Sequence, residues 1–137
     1  MPHADPKDVV RRFNLDVIER GDRAAFEALM LPSFVNRTAP PGAADGPESM
    51  WQTFDRVLRP ALSDLRVEIH DQAAEGAKVT SRKTIRGRHT GTLLGVAATG
   101  RDVAIDVIDI VRVEDGRYAE HWGVNTLAAV LAGLRQG

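Results

Sequence analysis

The chain is predicted to fold as an α+β domain, a curved antiparallel sheet wrapped on N-terminal helices. Three observations predict it. Apolar residues recur at helical spacing up to Leu58, the pattern changes to alternation after Pro60, and from there on β-rich runs are separated by turn residues such as Glu114-Asp115-Gly116. The order is helices first, strands after, with one short helix at the end.

The first helix starts at Asp5-Pro6-Lys7-Asp8, with Asp5 as N-cap and Pro6 at the first helical position, and carries Val9, Val10, Phe13, Val17 and Ile18 on one face. Gly21 ends it. Asp22 caps a second helix through Phe26, Leu29 and Met30, which Pro32 must stop. The block APPGAADGP at 39–47 is open to two readings, a lid or a plain connection from Phe34-Val35-Asn36 to the next helix. That third helix holds Met50, Phe54, Val57 and Leu58 on one stripe. Leu65, Val67 and Ile69 then define one face of a strand, and further strands are predicted at 78–88, 101–113 and 117–125. A final helix at 126–134 aligns Leu127, Val130, Leu131 and Leu134, with Thr126 as its expected cap. Closed at one end by the first helices, such a sheet forms a cone whose inner face can hold a small molecule.

At 137 residues, without an internal repeat, the chain reads as one domain spanning 1–137. A net charge of −1 offers no electrostatic footprint for nucleic acid or an acidic membrane surface. The absence of cysteine excludes disulfides, thiolate metal sites and a cysteine nucleophile, and the four histidines, His3, His70, His89 and His121, have no zinc-site spacing. No apolar run approaches the roughly 18 to 20 residues that span a bilayer, and MPHADPKD lacks the apolar core of a signal peptide. A cytoplasmic protein is the expectation.

The hairpin from Asp109 to Thr126 carries the chemistry. A three-residue loop, Glu114-Asp115-Gly116, pairs Val113 with Arg117 and sets Asp109 opposite His121, Val107 opposite Gly123 and Ile105 opposite Asn125, all on one face. A two-residue Asp-Gly loop shifts the pairing by one and brings Asp106 to that face instead. In either register His121 shares its face with a carboxylate, and Asp109 is the preferred partner. The opposite face collects Ile108, Ile110, Arg112, Tyr118, Glu120, Trp122 and Val124, and its apolar row predicts a homodimer packed through the outer sheet face.

Several stretches carry a family pattern: Gly87-Arg88-His89-Thr90-Gly91, Gly95-Val96-Ala97-Ala98-Thr99-Gly100-Arg101, Arg112-Val113-Glu114-Asp115-Gly116-Arg117 and Glu120-His121-Trp122, with Phe34-Val35-Asn36 and Leu62-Ser63-Asp64-Leu65 upstream. Through them the chain resembles the SnoaL-like polyketide cyclase, or ester cyclase, family of the nuclear-transport-factor-2-like, cystatin-like superfamily. The resemblance implies a cone-shaped α+β fold, a homodimer, and intramolecular aldol ring closure of a polyketide ester without cofactor or metal. It also implies an acidic base just beyond the His-Trp strand. That place holds Asn125 and Thr126, and neither an amide nor a hydroxyl takes up a proton at neutral pH.

The candidate catalytic residues are therefore Asp109 and His121: a histidine oriented by a carboxylate serves as base with its other nitrogen aimed at substrate, or a protonated Asp109 donates to an enolate. The bland alternative is a structural pair that satisfies itself. Candidate substrate contacts are Asn36 and Asn125 as amide groups near the cone mouth, Trp51 as a wall, and His89 at the rim. Each of three has a structural counterpart: a turn residue for Asn36, core for Trp51 and an exposed turn for His89. Arg82, Lys83, Arg86 and Arg88 form a basic strand, read as a solvated face more readily than as an anion attractor. Three functions fit: a cofactor-independent cyclase or related lyase or isomerase on a small apolar carbonyl compound, a hydrolase activating water against an epoxide or ester, and a non-catalytic ligand-binding protein.

Overall fold

A computed structural model describes residues 5–136 of the chain, so that His3 lies outside the described residues. Helix α1 (Pro6–Arg12) begins as its capping residues dictate, with the Asp5 carboxylate accepting from the Lys7 N–H at 2.9 Å, and continues into a wider stretch of π-type turns over Phe13–Glu19. Gly21, at φ +71°, turns the chain into α2 (Arg23–Leu29), where Asp22 accepts from the Ala25 N–H. Helix α3 (Pro47–Gln52) likewise widens over Thr53–Leu58 before the single turn α4 (Arg59–Ala61).

The sheet consists of β1 (Met30–Asn36), β2 (Leu62–Glu75), β3 (Lys78–His89), β4 (Asp102–Glu114) and β5 (Arg117–Asn125), ordered β1-β5-β4-β3-β2. Helix α5 (Leu127–Arg135) follows the last strand. The predicted α+β class and the positions of the four long strands are borne out. Two details differ. Met30 starts a strand instead of ending a helix, and that strand runs parallel to β5, so the sheet is not wholly antiparallel. Pro32 is tolerated because β1 is an edge strand, where a missing N–H removes no ladder bond on its open side.

The hairpin register corrects the expectation as well. Glu114 pairs with Arg117 across a two-residue Asp115-Gly116 turn, whose φ values of +51° and +73° are those of a primed hairpin turn. A one-residue slip from this turn would send His121 to the wrong face, but a bulge at Ala119 adds one residue to β5 and restores the parity. As a result Val111 faces His121, Asp109 faces Gly123, and Val107 faces Asn125. The two-residue turn itself pairs Tyr118 with Val113 and so brings this residue, expected outside, into the interior, where its ring stacks on Phe13 with centroids 4.1 Å apart.

The core lies between helices and concave sheet, with Phe13 in contact with the Phe26, Phe54 and Tyr118 rings and with Phe34 packing on Tyr118. Phe13 joins both layers, so Phe13→Ala is expected to cost about 3–5 kcal/mol. The urea midpoint at constant slope measures it.

Candidate active site

The cone encloses a cavity of about 470 Å³. Phe13, Met50, Phe54, Val57, Ile85 and Ile105 supply much of its apolar wall. Its polar wall comes mainly from Asn36, Lys83, Asp109, Tyr118, His121 and Asn125.

Five polar side chains form a row across the concave sheet. Asn36 Oδ1 lies 2.9 Å from His121 Nδ1, because the parallel pairing of β1 with β5 sets these two residues side by side. His121 Nε2 lies 3.3 Å from Asp109 Oδ2, and Lys83 Nζ lies 3.3 Å from the same oxygen. Lys83 in turn donates to Asn14 Oδ1 at 2.6 Å, while Asn14 Nδ2 donates back to the Val10 carbonyl within the helix. Asp109 and Lys83 are each only 5% exposed.

The position of each atom follows from its neighbours. Asn36 Oδ1 also accepts from the Thr38 N–H, which fixes the amide with its oxygen toward His121 and makes Nδ1 the donor. Nε2 is left facing the carboxylate. The expected histidine with one nitrogen free for substrate is therefore corrected: both nitrogens have protein partners. Gly123 makes this possible. A Cβ there would lie 2.9 Å from His121 Cε1 and 3.1 Å from Nε2, so the imidazole reaches Asp109 only by lying across a residue without a side chain.

Burial is the largest single effect on Asp109 and pushes its carboxyl up, but the Lys83 ammonium and the His121 ring together outweigh it and hold the group below its ordinary value. Asp109 Oδ1 is buried and has no hydrogen-bond partner among the described residues. Tyr118 moves the other way. Burial first, and the Asp109 charge second, push its hydroxyl well above its ordinary value, so it remains a proton donor at neutral pH.

The structure brings together four of the six candidates: Asp109, His121, Asn36 and Asn125. Asn125 Oδ1 accepts from the Leu127 N–H and so caps α5, the role expected of Thr126, whose hydroxyl instead accepts from the Asp106 N–H. Two candidates are corrected. Trp51 does not line the cavity; it packs on Phe26 with centroids 5.2 Å apart and under Arg23, on the far side of the α3 stripe. His89 is fully buried as a loop pin, with Nδ1 accepting from the Thr99 N–H and Nε2 donating to the Val96 carbonyl, so it is neither a rim contact nor an exposed turn residue. Lys83 and Tyr118 went unrecognised in the sequence. The alternation Val79, Ser81, Lys83, Ile85 places Lys83 on a buried face and is the signal that could have found it; for Tyr118 the signal is the two-residue Asp115-Gly116 loop, which sets it opposite Val113. Among the described residues no cluster of three or more His, Asp or Glu side chains converges as metal ligands.

The family model for SnoaL-like polyketide cyclase matches residues 8–134. The chain belongs to the SnoaL-like polyketide cyclase family. It is 26% identical over 120 residues to aklanonic acid methyl ester cyclase DauD of Streptomyces sp. (strain C5), covering 83% of this chain and 71% of that protein. Among solved structures it is similar to TsrD of Streptomyces laurentii, with 28% identity, TM-score 0.81 and coverage of 93% and 92% of the two chains. It is also similar to IdmH of Streptomyces antibioticus, a candidate polyketide cyclase, with 26% identity, TM-score 0.80 and coverage of 96% and 99%.

Two outcomes are expected of this site. Because the folded-state value of Asp109 is depressed, its contribution to stability is present above the ordinary, unfolded-state value and lost as pH falls through the folded value. The stability gap between wild type and Asp109→Asn should therefore narrow as urea midpoints are followed down through the acid range. Gly123→Ala should displace the imidazole from Asp109, read as a changed His121 ring resonance in a protein that keeps its strand signals.

Proposed function

We propose that this family member is a cofactor-independent cyclase that closes a ring by intramolecular aldol addition on a small, mostly apolar carbonyl compound of polyketide type. The observation that carries the reading is the Asp109–His121 pair, 3.3 Å apart, on the wall of an otherwise largely apolar cavity. The pair takes the place of the acidic residue that the resemblance puts at Asn125 or Thr126.

In this reading the pair takes a proton from the carbon next to a substrate carbonyl, and the electron pair moves onto that oxygen as an enolate. The enolate carbon attacks a second carbonyl of the same molecule, forming a carbon–carbon bond, and the new alkoxide receives the proton back from the pair. The Tyr118 hydroxyl and Asn125 Nδ2 are the donors offered to developing negative charge, in surroundings where few waters compete. Asn36 holds the imidazole in place from its outer side.

Aklanonic acid methyl ester, after which DauD is named, is the first substrate to test. Asp109→Asn and His121→Ala should each lower turnover by about 10²- to 10⁴-fold, and Tyr118→Phe by about 10- to 10³-fold, with the fold retained by circular dichroism. Full turnover in both Asp109→Asn and His121→Ala would make the pair structural.

A homodimer through the convex sheet face belongs to the same proposal, supported by Ile108 (50% exposed) and Val124 (68% exposed) with Ile110 beside them. Light scattering should give twice the chain mass for wild type and the single mass for Ile108→Glu/Val124→Glu; a single mass for wild type removes the dimer.

A further inference from the structure

Lys83 has no part in the function derived above, yet it is the most completely buried cation near the cavity, and it reaches there from the strand next to Asp109. Its register partner on β4 is Val107, so the ammonium crosses diagonally to the carboxylate. An amine so placed needs compensation for the hydration it gives up. Two groups provide it: Asp109 Oδ2 at 3.3 Å and Asn14 Oδ1 at 2.6 Å. Asn14 is oriented by its own bond to the Val10 carbonyl, in the stretch where the helix widens, so its oxygen and not its amino group meets Lys83. The clamp is built from both layers of the fold.

We infer that Lys83 is a positioning residue for the ring closure proposed above: seated by Asn14, its ammonium grips Asp109 through Oδ2 and keeps that carboxylate charged beside His121. The inference rests on the cyclase reading for its catalytic meaning, but the electrostatic coupling stands on geometry alone. Without Lys83, desolvation would favour a neutral carboxyl, and a neutral Asp109 neither accepts a proton nor orients the imidazole. The titratable groups facing Asp109 are Lys83 from β3 and His121 and Tyr118 from β5, while the helix contributes only the neutral Asn14. Lys83 is thus the side chain whose ammonium the geometry sets against Asp109 Oδ2, and Tyr118 adds no charge because its proton is held.

The test follows the Asp109 carboxyl carbon by NMR in protein labelled at aspartate carboxyls, assigned by the signal lost in Asp109→Asn. In wild type the signal should titrate below the ordinary aspartate range. In Lys83→Met it should move up by about one pH unit or more, and the acid limb of the turnover profile should move with it. Lys83→Gln, which keeps a donor for Asn14 and removes only the charge, gives the same reading if the methionine variant does not fold. An Asp109 titration unmoved in the folded charge-free variant overturns the inference, and so does an acid limb that stays in place while the carboxyl moves. Absence of turnover in wild type on the ester would overturn the cyclase reading instead, while the carboxyl titration would still decide whether Lys83 holds Asp109 charged.

Discussion

An ionised carboxylate held inside an apolar cone is costly unless opposite charge and donors are brought to it, and the placement of Asp109 shows how much of this fold answers that demand. Lys83 comes from one neighbouring strand and His121 from the other, both to the same oxygen. Beyond them stand two asparagines, Asn14 on the helix and Asn36 on the edge strand, each fixed by a backbone bond so that its carbonyl faces the charged row. The row therefore ties the N-terminal helix, β3, β4, β5 and β1 together, and its ends are neutral amides that tolerate both protein and solvent.

Two irregularities in the backbone serve this row. The bulge at Ala119 gives His121 its inward face after a turn that places Tyr118 inside but would otherwise have directed His121 outward. The absence of a side chain at Gly123 leaves the space across which the imidazole lies. Bulges and bare positions next to a site are where sheets depart from regular pairing for the sake of side-chain aim. The π-type widening of the first helix, where Asn14 sits, is a third departure of the same kind.

A cavity with an Asp-His pair at one wall and aromatic and aliphatic residues elsewhere fits the proposed chemistry, in which the substrate supplies most of the reacting atoms. Ring closure within one molecule needs the chain of that molecule folded and its enolate protected, and shape does most of this.

The amino-acid sequence by itself determined the N-terminal helices, the four long strands that follow them and the caps at Asp5 and Asp22, because these depend on local chemistry and on periodicity; for His121 it gave a face shared with Asp109 or with Asp106, according to the loop. It also determined the family, through motifs that lie close together in the chain. Tertiary structure decided the rest. The Ala119 bulge, which keeps His121 on the Asp109 face, and the parallel seat of β1 depend on how strands meet, which no local pattern fixes. Trp51 and His89 were candidates by residue type, and burial assigned them to the core and to a loop pin. Lys83 read as one of four basic residues on a strand; only the approach of Asn14 and Asp109 from elements 69 and 26 residues away in sequence, respectively, made it a buried ion, since a charge stays buried only where partners distant in the chain converge on it.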